Sequence, residues 1–140
     1  LGRTLDIPHV YLMRHPSPGI GFAARNVGAS VTPIRLQLVR DSDAIFIEEL
    51  KKKGQYYLIW QAFAALLPGK AVGVMGDAPT YGHIIGLRAV TSVDGMTADW
   101  YRMRDDIWEH ISNRIIREVK GVTRVLRDIS SKPPATIEYE

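Results

Sequence analysis

The chain has 140 residues, 46% of them hydrophobic, a size that buries about two thirds of its unfolded surface as one domain without disulfide or metal staples. Its 18 Lys+Arg against 15 Asp+Glu leave a net charge of only +3, with the basic residues scattered among acids, which argues against a nucleic-acid footprint. With no cysteine there is no disulfide framework, thiolate metal site or cysteine nucleophile, and no apolar run approaches the ~18 residues of a membrane span, so a soluble, cytoplasmic protein is expected.

The chain opens LGRTLDIPHV, with Leu1 where an initiator methionine would stand, and is therefore expected to be a piece of something longer. RHPSPGIG, Arg14 to Gly21, crowds two prolines and two glycines together and reads as a loop. It divides the chain into a stub over 1–13, a linker over 14–24 and a domain over 25–140. FAARNVG, from Phe22, reads as a short strand. A helix follows, with Thr32 as N-cap, Pro33 at its first position, and Lys51, Lys52, Lys53 and Gly54 closing it. Ile34, Leu38, Val39, Ile45, Phe46 and Leu50 make its buried face, and Asp41, Asp43, Glu48 and Glu49 are expected on its solvent side.

LIWQAFAALLP and AVGVMGD read as two strands joined by a tight turn at Pro68, Gly69 and Lys70, although the alanines of the first also suit a helix. TYGHIIGLRAVTS resumes a strand after a turn at Asp77, Ala78 and Pro79. A second helix is predicted from Asp105 to Val119, with Ile107, Ile111, Ile115 and Val119 on one face, Arg114, Arg117 and Glu118 away from it, and Gly121 ending it. VTRVLRDIS alternates as a half-buried strand, and TIEY gives a last short one. The expected fold is α+β, a two-layer domain with two main helices packed on a largely antiparallel sheet.

Most local chemistry is absent. His9, His15, His83 and His110 are too dispersed for a local metal-ligand set, the glycines of GIG and GVMG lack phosphate-loop spacing, and there is no G-x-S-x-G elbow. The ending SSKPPATIEYE is different. Pro133 and Pro134 fix two φ angles and remove two donors, so Lys132 leaves a stiff segment suited to holding an anion such as phosphate. Beyond it Thr136, Glu138 and Glu140 share one face while Ile137 and Tyr139 take the other. Taken alone, this segment also fits an edge strand that Lys132 and Glu138 merely decorate.

HPSPGIG, SDAIFIEEL, WQAFAALLP, VGVMGD, RAVTSVDGMTADW, ISNRII and SSKPPATIEYE, in this order and ending at the same terminus, resemble the C-terminal domain of glutamine-hydrolysing GMP synthase. The resemblance covers essentially the whole chain, the first dozen residues being similar to the last helix of the preceding ATP pyrophosphatase domain. It implies a dimerisation domain that completes a site for xanthosine monophosphate (XMP) in a ligase of purine biosynthesis, a glutamine amidotransferase that aminates XMP to GMP. It implies ATP and Mg2+ for the intact enzyme, no cofactor in this domain, and as partners XMP, a second copy, and the ATP pyrophosphatase and glutaminase domains or subunits. The glutaminase cysteine and the S-G-G-x-D-S loop that binds ATP belong to those other parts, so no catalytic residue is expected here. The family's XMP contacts fall on Gln61, Asp77, Lys132, Ile137 and Glu138, with Thr136 added by adjacency. Lys132 would meet the phosphate, and Glu138 would accept from a ribose hydroxyl or a purine N–H.

Two departures stand out. HPSPGIGF replaces the family's HPFPGPGL, and GDAPTY replaces GDGRTY, so Pro79 stands where the family has an arginine that reaches the neighbouring subunit's substrate. Arg88 and Arg25 are replacements by charge alone. Two other readings remain at this stage: a homodimerisation module with no ligand contacts of its own, and an RNA-binding module, which would need Tyr56, Tyr57 and Trp60 beside a basic stripe.

Overall fold

The structure, a computed structural model, describes residues 5–17 and 21–140. Of the expected stub, residues 1–4 therefore lie outside the described residues, as do residues 18–20 of the expected linker. A four-residue helix α1 (His9–Leu12) precedes a 3-10 turn at Gly21–Arg25. The strand expected from Phe22 is thus a correction. The chain turns tightly there, and only Asn26 pairs, in a parallel bridge to Leu66 with Val27 N–H donating to the Leu66 carbonyl at 3.0 Å.

Helix α2 (Pro33–Lys52) forms as its caps predict. Thr32 Oγ1 accepts from the Arg35 N–H at 3.2 Å, and Gly54 follows the C-terminus at φ 69°. Leu38, Val39, Ile45, Phe46 and Leu50 are buried, but Ile34 is 74% exposed. The N-terminal end of the helix, Ile34 with Val31 just before the cap, is open to solvent, beyond the surface that covers the rest of the face. The acidic residues also depart from expectation, because Glu49 is buried and Asp43 nearly so. Each carboxylate has a partner that makes burial tolerable: Glu49 pairs with Arg114 at 2.7 Å and His110 at 3.2 Å, and Asp43 accepts the Ala64 N–H at 2.9 Å. Arg114, bonded also to Glu48 and Glu118, thereby ties the second long helix, α3 (Asp105–Glu118), to α2.

The sheet is built on one long hairpin, β1 (Gln61–Met75) with β2 (Ala78–Thr91). Pro68 and Gly69 do not turn the chain. The register runs Leu66↔Ile85 and then Lys70↔His83, so two extra residues bulge out of β1 where proline has no N–H to give the ladder. The reversal comes at Gly76 and Asp77, with Gly76 at φ 65°, the left-handed conformation that a two-residue hairpin loop requires. On its other side β2 pairs antiparallel with β3 (Asp99–Trp100) and parallel with β4 (Val122–Arg127), which α3 brings back as a crossover. The architecture is α+β, two main helices on a mostly antiparallel sheet.

Strand alternation separates two clusters. Ala62, Ala64 and Leu66 of β1 and Ile85, Leu87 and Ala89 of β2 face the helices, against Phe46, Leu50, Trp108, Ile111 and Ile115. Phe63, Ala65 and Val90 face the other way and are covered by Ala98, Trp60, Ile137 and Tyr139. The C-terminal residues expected as a TIEY strand form no ladder. They lie across the back face of the sheet, where Arg88 takes their carbonyls. Among the described residues no helix is long and apolar enough to cross a membrane.

Candidate functional site around the C-terminal segment

Because Gln61 has the same strand parity as Phe63, it faces the back of the sheet, where it is buried and donates Nε2 to Glu138 Oε1 at 2.6 Å. Arg25, closing the Gly21–Arg25 turn and only 6% exposed, donates Nη2 to the same oxygen at 3.1 Å. Its Nη1 lies 3.6 Å from Asp43 Oδ1. The guanidinium stands 4.6 Å from the Phe63 ring centroid and 5.6 Å from that of Phe22, within cation–π range of both. The 3-10 turn, α2, β1 and the C-terminus thus each contribute one polar side chain. Glu138 Oε2 and Arg25 Nε are buried and make no hydrogen bond among the described residues. Burial, joined by the charge of Glu138, pushes the Asp43 carboxyl above its ordinary range, although the Ala64 N–H and Arg25 hold it down.

The segment itself is held by Arg88, which stands opposite Phe63 on β2 and is completely buried. Its Nε donates to the Ile137 carbonyl at 3.0 Å, Nη2 to Thr136 at 2.9 Å and Nη1 to Ser130 at 2.6 Å. Nη1 also lies 3.4 Å from Asp128, which accepts from Tyr139 Oη at 2.9 Å. Burial alone would raise Asp128, but the hydrogen bonds from Ser130 and Tyr139 and the Arg88 charge bring its carboxyl below the usual range. Tyr139 is pushed well above the ordinary phenol value, first by burial and then by Asp128.

Lys132 is fixed differently from its expected presentation. Its backbone pairs with Ala98 in both directions, at 3.0 and 2.8 Å, and Nζ donates to the Gly95 carbonyl at 2.8 Å, tying the segment to the loop before β3. Thr136 is exposed and its hydroxyl donates to the Glu138 carbonyl. The Ile137 side chain is core, packed with Phe63 and Val90. Asp77 does not join the others. It is exposed in the hairpin loop, at the opposite end of the 15-residue β1 from Gln61 and on the order of 40 Å away at ~3.3 Å per strand residue. Arg88 and Arg25, the two replacements weighed for the Pro79 position, are both buried and do not reach outward.

A cavity of about 370 Å³ adjoins the Arg25 end, lined among others by Arg14, His15, Asp43, Lys51 and Tyr56. His15 stacks on Tyr56 at 3.8 Å, accepts the Ala62 N–H on Nδ1 at 3.2 Å and donates Nε2–H to the Tyr56 carbonyl at 2.8 Å, partners that assign its tautomer. Burial lowers its pKa first, against two backbone hydrogen bonds that raise it. Tyr56 is engaged by His15 and Trp60 is packed on the back face, which leaves Tyr57, 52% exposed and edge-on to Tyr56, as the one open ring of the three rather than a stacking platform of several. Among the described residues no group of three or more His, Asp or Glu is placed to hold a metal ion.

Sequence reasoning missed Asp43 as a site residue and weighed Arg25 only for its charge. The available signal was a charged residue at a position whose neighbours are apolar, as in FAAR and GLRAV.

The family model described as the GMP synthase C terminal domain matches residues 48–139. Over all 140 residues the chain is 59% identical to the GMP synthase [glutamine-hydrolyzing] of Pelodictyon phaeoclathratiforme, 57% to that of Chlorobaculum tepidum and 56% to that of Aquifex aeolicus. In each case the whole of this chain aligns with 27% of the relative's length. The chain belongs to the GMP synthase C-terminal domain family.

Proposed function

We propose that this domain completes the XMP site of a GMP synthase, a ligase that aminates XMP to GMP with ATP, Mg2+ and glutamine-derived ammonia, and that it dimerises that enzyme. The observation that carries the reading is Glu138, a carboxylate whose Oε1 is fixed by Gln61 and Arg25 while the buried Oε2 has no partner among the described residues. A buried acceptor of this kind is costly to leave unmatched, and an N–H or O–H of the nucleotide is the donor it suits. Lys132, with a single side-chain hydrogen-bond partner among the described residues, retains ammonium donors for the phosphate. Thr136 and the Ile137 backbone flank Glu138 and border the same site.

Asp77 fits the reading only through dimerisation. A hairpin that carries it on the order of 40 Å from Gln61 would bring it to the site of a second copy rather than to its own. Val72, Val74 and Tyr81, exposed on one face of that hairpin arm, supply apolar surface for such contact. In this arrangement residues 1–13 end the preceding ATP pyrophosphatase domain, residues 14–24 link it to this one, and the ATP pyrophosphatase and glutaminase parts are cytoplasmic partners. The domain itself contributes no catalytic residue and no cofactor, and alone it would turn over no XMP. The alternative, a homodimerisation module with no ligand contacts of its own, keeps the exposed hairpin face but gives Glu138 no role.

Glu138→Gln in the intact enzyme separates the two. Its amide oxygen would accept from Gln61 and Arg25, which turns the NH2 to the Oε2 position, where it cannot accept. XMP affinity should fall about 10- to 150-fold, the value of a charge-assisted hydrogen bond, with ATP affinity unchanged. Wild-type XMP affinity in this variant would refute the reading in favour of the dimerisation module.

A further inference from the structure

We infer that Arg25 is a positioning residue: wedged between Asp43, Phe63 and Glu138, it fixes the orientation of the Glu138 carboxylate and thereby the acceptor offered to the nucleotide. The inference rests on the reading of Glu138 above and adds the residue that makes the carboxylate usable.

Gln61 and Arg25 both donate to Oε1, from β1 and from the 3-10 turn. Two donors on one oxygen stop the carboxylate from rotating, so Oε2 keeps one direction. Gln61 alone would leave that rotation open and would leave a largely buried carboxylate with no cation, since Arg25 is the only ion-pair partner of Glu138 among the described residues. Arg25 is itself held by several partners. Asp43 holds its other terminal nitrogen, Phe63 and Phe22 flank its plane, and Asp43 is anchored by the Ala64 N–H. The chain of support therefore runs from α2 through Arg25 to the C-terminus. Lysine at this position would keep the charge but lacks the fork needed to reach Asp43 and Glu138 together.

A double-mutant cycle on the intact enzyme, read by XMP titration and steady-state kinetics, tests this. Arg25→Lys should weaken XMP binding about 10-fold and raise its KM, with kcat within about 2-fold of wild type. In the Glu138→Gln background the same change should cost less than about 2-fold, because the carboxylate it positions is gone. A merely structural Arg25 would lower affinity equally in both backgrounds, and that result, or wild-type binding by Arg25→Lys, overturns the inference. If Arg25→Lys does not fold, Asp43→Asn, which keeps an acceptor for Ala64 but removes the anchoring charge, should show the same pattern with a smaller loss. Additive losses there overturn the inference equally. Glu138→Gln by itself decides the underlying reading, so a failure of Glu138 is distinguished from a failure of Arg25.

Discussion

Two arginines are buried among the described residues, Arg88 on the back face of the sheet and Arg25 at the free edge of β1 between α2 and the C-terminal segment, and they are used in opposite ways. Arg88 aims all three of its nitrogens at carbonyls of the C-terminal segment and has Asp128 beside it, so each of its nitrogens has a partner. Arg25 meets two carboxylates, yet its own Nε and the Oε2 of Glu138 stay buried without partners among the described residues. A guanidinium with every nitrogen engaged is what fastening a chain segment requires. An unsaturated cluster beside it is expensive for the fold alone, and in the proposed reading the nucleotide supplies the donor that Glu138 Oε2 lacks.

The sharpest way to break the comparison is Arg88→Leu. Three carbonyls and Asp128 would lose a buried cation, so the 140-residue chain should lose about 3–5 kcal/mol of stability in denaturant unfolding, with release of the C-terminal segment. A loss as small as that of a surface substitution would mean that Arg88 does not hold the segment. Next comes Lys132→Ala in the intact enzyme. It should weaken XMP binding about 10- to 150-fold, leave ATP binding unchanged and lower the melting temperature only modestly, because among the described residues its side chain makes one hydrogen bond, to Gly95. A melting temperature that falls as much as affinity would move Lys132 to the structural side of the comparison.

The smallest effect is in the pH dependence of stability, and its signs differ at the two arginines. Asp128 is depressed in the folded state, so its contribution is present above the unfolded carboxyl value and is lost as pH falls through the folded one. Asp43 is raised, so the folded state holds its proton to higher pH and stability declines as pH rises from the unfolded to the folded value. Asp128→Asn should therefore flatten the acid loss of stability, and Asp43→Asn should remove a decline on the other side. Unfolding free energies measured from pH 3 to pH 7 for both variants read the two signs; the same sign at both would erase the distinction.

Local signals carried much of this fold and distant partners carried the rest. The α2 boundaries were legible because Thr32, Pro33 and Gly54 act within a turn of where they stand, whereas the burial of Glu49 depends on Arg114 of another helix. Pro68 and Gly69 look like a turn, but whether a proline turns or bulges a strand is decided by its neighbour, here β2, continuous from Ala78 to Thr91. The alternation of TIEY was readable, and Ile137 and Tyr139 do point inward. Its backbone partner was not readable, because it is a side chain 49 residues away at Ile137 rather than a strand. At the site, Gln61 and Glu138 were named from the resemblance and the fold joins them at 2.6 Å, while Arg25 was visible only as a charge because its partners, Asp43 and Glu138, come from distant segments.

The most direct measurement is a crystal structure of the intact enzyme with XMP. The account predicts an XMP donor about 3 Å from Glu138 Oε2, with Arg25 and Gln61 still on Oε1 and Arg88 still on the carbonyls of Ser130, Thr136 and Ile137. XMP bound with Glu138 Oε2 left unpaired, or with Arg88 released from those carbonyls to contact the nucleotide, would contradict it.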